Sequence, residues 1–169
     1  MQIAWKEDVR VWHPGQAWIF EPGGLGVFDP GINALSILTR ILPHPVFITG
    51  AELAFPANRD APIAANLRLA DSKGLPITAE LDFRQTGPQN WDITAETDQG
   101  RMTLSDGGRR LAVDGKILAE APDAEYRELY HRFVALSATG ALDVDLTPLR
   151  LVADAFMLGK RNIVEPFLD

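Results

Sequence analysis

From residue 46 to residue 118 the sequence alternates between apolar and polar side chains almost without a break. This limits that stretch to a sheet with one buried face and one polar face. Val46 to Phe55 reads as one strand. Ile63, Ala65, Leu67 and Leu69 alternate with Asn66 and Arg68, and Asp71-Ser72-Lys73-Gly74 turns the chain. Leu75, Ile77, Ala79, Leu81 and Phe83 bring it back, with Thr78, Glu80, Asp82 and Arg84 opposite. Gly87-Pro88 breaks that strand. Trp91, Ile93 and Ala95 alternate next, up to Asp98-Gln99-Gly100. Short strands at Met102–Ser105, Arg109–Val113 and Lys116–Leu118 follow, joined by Asp106-Gly107-Gly108 and Asp114-Gly115. The second face is rich in Thr, Arg, Asp and Glu, and suits either solvent or a second subunit.

Residues 2–12 also alternate and read as a strand, with Ile3, Trp5, Val9 and Val11 on one face and Ala4, Lys6, Asp8 and Arg10 on the other. Glu7 is the anomaly, because the period of two puts it on the apolar face. A carboxylate there is paired, neutralised or facing a wet cavity, or else a bulge turns it out to water. The next loop, Trp12-His13-Pro14-Gly15-Gln16-Ala17-Trp18, carries two indoles and an imidazole. Its rings can stack on a sugar face or simply cover the edge of a core.

A helix is expected up to Ile41, with Ile32, Leu35, Ile37, Leu38 and Ile41 as its apolar side and Pro43-His44-Pro45 as its stop. Two helices are expected to close the chain. Pro122-Asp123 starts the first, whose stripe is Tyr126, Leu129, Tyr130, Phe133, Val134 and Leu136, and Gly140 ends it. Thr147-Pro148 caps the second, where Leu151, Val152, Ala155, Phe156 and Leu158 are apolar. The order strand, helix, many strands, two helices predicts an α+β fold, an open and predominantly antiparallel sheet with helices on one face.

Composition narrows the functional classes. The 169 residues fit one domain, residues 1–169, with enough chain for a sizeable core. A net charge of −7 without a basic stripe argues against nucleic acid. Cysteine is absent, which excludes thiolate catalysis and cysteine metal sites. His13, His44 and His131 have no partners at zinc-ligand spacing, so no metal is expected. No apolar run reaches the roughly 20 residues of a membrane span, and no leader is visible. The expectation is a cytoplasmic protein with no membrane partner.

The stretch Glu21-Pro22-Gly23-Gly24-Leu25-Gly26-Val27-Phe28-Asp29-Pro30-Gly31-Ile32-Asn33 is the candidate for chemistry. It is not a dinucleotide fingerprint, because Asp29 stands where the third glycine belongs, and no Lys-Ser/Thr follows to make a phosphate loop. Asp29 and Asn33 are four apart, one helical turn, and so share a side of the helix. That spacing suits a catalytic pair. Asp before Pro also suits a plain helix start, with Asp29 as the cap and Pro30 in the first helical position.

With Trp5-Lys6-Glu7-Asp8 and Trp12-His13-Pro14-Gly15, the long glycine-led string resembles the sugar dehydrogenases of the glucose–fructose oxidoreductase / inositol dehydrogenase family (Gfo/Idh/MocA). Within that family it is most like the aldose 1-dehydrogenases acting on D-galactose and L-arabinose. The resemblance covers essentially the whole chain and implies the family's C-terminal domain, with the N-terminal Rossmann domain and the family's lysine absent. It implies an NAD- or NADP-dependent oxidation of an aldose at C1 to the aldonolactone, with the cofactor bound mainly by that Rossmann domain. It implies catalytic Asp29 and Asn33, substrate contacts from Glu7, Trp12, His13 and Trp91, and a homo-oligomer formed through the sheet face. Many members have histidine where Asn33 stands; asparagine cannot act as acid or base near neutral pH but can donate and accept hydrogen bonds. The 169-residue chain alone is expected to be inactive. The alternative is a standalone, non-catalytic domain for dimerisation or ligand binding.

Overall fold

The computed structural model describes residues 1–122 and 124–168. Among the described residues nine strands form one sheet: β1 Gln2–Lys6, β2 Val46–Pro56, β3 Ala64–Asp71, β4 Pro76–Asp82, β5 Asn90–Thr97, β6 Gly100–Ser105, β7 Arg110–Val113, β8 Lys116–Glu120 and β9 Lys160–Val164. Their spatial order is β8-β7-β6-β5-β1-β4-β3-β2-β9. The pairings are antiparallel except β1 with β4 and β2 with β9. The helices are α1 Val9–Trp12, α2 Phe28–Ile41, α3 Glu125–Thr139 and α4 Thr147–Leu158. This is the expected α+β architecture.

The alternation does what the sequence predicts. Ile3, Leu53, Leu67, Leu69, Ile77, Ala79, Leu81 and Ile93 are buried on one face. Phe28, Ala34, Leu35 and Leu38 of α2, with Leu151, Val152 and Ala155 of α4, cover them. The opposite face presents Gln2, Asn66, Arg68, Thr78 and Glu80 around a shallow basin of about 550 Å³. The β3–β4 turn is held by Asp71, whose Oδ1 accepts from the Lys73 and Leu75 amides at 2.8 and 2.9 Å.

Four local expectations are corrected. The first strand does not run to residue 12. It ends at Lys6, and Val9–Trp12 forms the turn of helix α1, capped by Asp8, whose Oδ1 accepts from the Arg10 amide at 3.0 Å. Val11 is consequently exposed. Thr147 is the first residue of α4 rather than its cap, and the Asp145 carboxylate takes its amide at 2.9 Å. The chain does not close on two helices, because β9 follows α4 and pairs in parallel with β2. The stripe of α3 is not buried; Tyr126, Leu129, Tyr130, Phe133 and Val134 all face solvent. Gly140 ends α3 as expected, in the left-handed conformation at φ 66°. The expected start of that helix at Pro122-Asp123 falls partly on Asp123, which lies outside the described residues.

Gly26 has φ 55°, and a Cβ there would run into the Pro62 carbonyl oxygen. Gly15 has φ 73° but open space around it. Gly15→Ala is therefore expected to cost about 1 kcal/mol, from the left-handed backbone alone. Gly26→Ala is expected to cost about 3 kcal/mol, from the same strain plus overpacking. Urea denaturation of the two variants measures the difference.

Candidate active site

The site is built around Glu7. Its amide donates to the Asp82 carbonyl at 2.9 Å, and the Val9 amide donates to the Phe83 carbonyl at 3.1 Å, so the chain just after β1 stays laced to the end of β4. Asp8 then caps α1, and the helical turn swings Trp12 and His13 back over β1. The Glu7 side chain is 2% exposed. Its Oε2 accepts from the Trp91 indole N–H at 2.8 Å, and its Oε1 lies 2.9 Å from His13 Nε2. Of the two sequence readings of Glu7, the buried and paired one is correct. Burial drives its carboxyl above the ordinary glutamate range, and the nearby Asp29 adds to the rise. The Trp91 hydrogen bond and the charge and hydrogen bond of His13 pull the other way.

His13 is fixed on three sides. Its amide donates to the Val9 carbonyl at 2.8 Å, its ring lies against Phe83 with centroids 5.5 Å apart, and Nε2 meets Glu7. An ionised carboxylate only accepts, so paired with it His13 carries its proton on Nε2. Nδ1 then faces the Asp29 carboxylate, 3.8 Å from Oδ2.

Asp29 is not a cap. The helix begins at Phe28 after Val27, neither residue caps it with a side chain, and Asp29 is the second helical residue with Pro30 the third. The tight backbone entry explains this: the Val27 amide donates to Pro62 and the Asp29 amide to Gly26, at 2.8 and 2.9 Å. Its side chain is 29% exposed, open to a reactant while within reach of His13. Asn33 follows one turn later and is exposed.

The aromatic residues form a wall. Trp91 lies opposite Trp5 across the β1–β5 pair, the rings stacked with centroids 5.8 Å apart. Trp12 tilts against Trp91 at 4.7 Å and is 43% exposed. Thus Glu7, His13, Asp29, Trp12 and Trp91 converge, and Asn33 stands on the adjoining turn of α2. Sequence reasoning missed Trp5 and Phe83, which back the wall and the imidazole. Trp5 was detectable as Glu7's neighbour at i−2 on the same strand face. A cleft of about 300 Å³ opens beside His13, bordered by Val9, Gln16 and Phe20.

Gly24 and Gly26 are packed against backbone and do not open onto this space. A Cβ on Gly24 would strike the Ile19 carbonyl oxygen, as one on Gly26 would strike that of Pro62. They let two backbone segments touch. No group of metal-binding side chains occurs among the described residues.

Comparison with known proteins bears on the fold and on the family it resembles. No protein-family model matches the chain. It is 49% identical over all 169 residues to galactose 1-dehydrogenase of Pseudomonas fluorescens, covering 55% of that protein. The crystal structure of D-galactose-1-dehydrogenase from Rhizobium etli matches 99% of the chain at 62% identity with a TM-score of 0.94, over 53% of its own length. The chain is similar to the C-terminal domain of the galactose 1-dehydrogenases. It spans about half the length of these relatives. A more distant structure, the open conformation of a 3-ketoreductase from Actinomadura kijaniata in complex with TDP-benzene and NADP, shares the fold at 12% identity and a TM-score of 0.74, over 96% of this chain and 53% of its own. The architecture implied by the Gfo/Idh/MocA resemblance is therefore the one found. No helix among the described residues is long and apolar enough to cross a membrane.

The Glu7 pair yields a pH prediction. A raised carboxyl means that the folded chain holds this proton more tightly than the unfolded chain does. The Glu7 contribution to stability is then greatest at low pH, and it falls as pH rises from the ordinary glutamate range through the raised value. Denaturation across that window should show the fall in the native chain and lose it in Glu7→Gln. Nitrogen NMR should also find the His13 proton moved from Nε2 to Nδ1 in that variant, because Trp91 keeps the Gln oxygen and the Gln amide donates to Nε2.

Proposed function

We propose that this chain is the substrate-binding and catalytic part of a nicotinamide-dependent aldose 1-dehydrogenase, which oxidises D-galactose at C1 to the aldonolactone. The single observation that carries the reading is Asp29, a partly exposed carboxylate 3.8 Å from the His13 ring, which shares Glu7 with Trp91 of the tryptophan wall. The similarity to two galactose 1-dehydrogenases supports the sugar. L-Arabinopyranose is D-galactopyranose without its exocyclic CH2OH, so a pocket indifferent to that group accepts it as a second substrate.

The oxidation removes a hydride from C1 and a proton from its hydroxyl while the C1=O bond forms. The cofactor, when bound, accepts the hydride. Asp29 takes the proton and Asn33 holds the anomeric hydroxyl or the ring oxygen. His13 Nδ1 accepts from a neighbouring sugar hydroxyl, and Trp12 and Trp91 stack on the apolar sugar face. Glu7, buried and engaged at both oxygens, acts through His13 and Trp91 by fixing their orientation. The cofactor's phosphates find no cradle in the Glu21–Asn33 stretch, whose inner glycines are packed against carbonyl oxygens. Its binding therefore falls to a dinucleotide domain outside these residues, and the chain alone is expected to be inactive. The polar sheet face, with its basin of about 550 Å³, is the surface for a second copy.

The test joins the chain to the remaining half of the Rhizobium etli protein and measures turnover with galactose. Asp29→Asn is expected to lower kcat about a hundredfold or more. Asn33→Ala is expected to raise KM about tenfold, the equivalent of one hydrogen bond. Near-normal kcat in folded Asp29→Asn would remove Asp29 from the base role. Tight galactose binding by the separate chain, with no turnover after fusion, would instead favour a standalone binding module.

A further inference from the structure

Helix α3 has the sequence of a packed helix and the surroundings of a solvated one. Viewed down its axis, Tyr126, Leu129, Tyr130, Phe133 and Leu136 gather on one side. Arg127, Glu128, His131, Arg132 and Ala135 occupy the other. An apolar stripe of this width belongs against a core. Yet Tyr130 is 62% exposed and Phe133 66%. Among the described residues α3 has no extensive packing against another helix or strand, whereas α4 packs on both β2 and α2. The segment after it continues the pattern, with Leu142, Val144 and Leu146 all exposed. A lone helix of 15 residues is marginal in water, so this one needs a cover.

The comparisons indicate which cover. The Rhizobium etli protein fits 99% of this chain at a TM-score of 0.94, too close a fit for a helix of this length to be displaced. Its α3 therefore takes the same course out from the sheet. Nearly half of that protein lies outside the match, and the Pseudomonas fluorescens relative has a similar remainder. The open polar sheet face already offers a second copy a separate surface. The stripe is uncharged and carries two tyrosines, the mix of apolar body and hydroxyl rim that suits a permanent contact between domains.

We propose that the Tyr126–Leu136 stripe of α3 is the docking surface for the remaining half of the longer galactose-dehydrogenase-like protein, anchored by Tyr130 and Phe133. This rests on the similarity to the galactose 1-dehydrogenases, not on the sugar or on the role of Asp29.

Amide hydrogen exchange tests it without any activity readout. The chain alone is compared with the same chain fused to the non-matching half of the Rhizobium etli protein. The α3 amides should exchange almost freely in the chain alone and at least a hundredfold more slowly in the fusion. Tyr130→Asp with Phe133→Asp should abolish that slowing while α2 keeps its protection. Ala135→Asp, on the charged side of α3, should leave the slowing in place. Equal exchange of α3 in chain and fusion would overturn the proposal, as would equal loss of protection in Ala135→Asp. So would a chain that is already protected alone and sediments as a dimer split by the paired aspartates, since a second copy would then be the cover.

Discussion

A carboxylate with almost no access to water is the constraint on which the site depends. Removing a charged group from solvent costs several kcal/mol unless hydrogen bonds replace the lost water. Glu7 meets that requirement with one donor from β5, the Trp91 indole, and one partner from the turn after α1, His13. Neither is optional. Because the two partners come from segments 84 and 6 residues away, satisfying one carboxylate also fixes the register of the aromatic wall and the aim of the imidazole. Asp29, arriving from α2, meets an imidazole whose orientation is already decided. The polar pair is therefore both a packing element and the element that orients the candidate site.

The fold was legible where one rule governed each residue. Burial on one face of the sheet requires alternation, so the strands from β2 to β8 could be read from Val46 onward, and α2 from its apolar side and its proline stop. Glu7 was legible as a misfit, since a charge in an apolar period demands a partner. Which partner was not legible, because Trp91 reaches it only through the β1–β5 register, a tertiary fact. The overlong first strand had a local cause. Residues 8–12 continue the alternation, but Asp8 offers its side chain to the Arg10 amide and the helical turn wins. Strand β9 was missed because Lys160, Arg161 and Asn162 mask a parallel edge strand. Its only local signal is Ile163-Val164, too short a run to weigh against the preceding helix.

The glycine-led stretch shows how a motif can serve an end other than the one its composition first suggests. Glycines ahead of a helix invite a phosphate-binding reading. Here the backbone of residues 19 and 62 approaches too closely to admit a side chain at Gly24 or Gly26. The resulting tight entry starts the helix at Phe28, two residues earlier than a cap at Asp29 would, and that early start places Asp29 in the opening turn. A residue that would have been spent on the backbone is left with its carboxylate available.

The parallel pairing of β9 with β2 has a kinetic meaning. The last strand joins a neighbour laid down roughly a hundred residues earlier, and the contact is locked beyond the strand by Asn58, which exchanges two hydrogen bonds with the backbone of Phe167 across a separation of 109 residues. Contacts so distant in sequence form late, since loop closure must precede them. During synthesis β2 therefore waits as an open edge, apolar on one side, the kind of surface from which misassembly begins. The basic Lys160 and Arg161 then finish the sheet with a charged margin that a neighbouring molecule cannot easily extend.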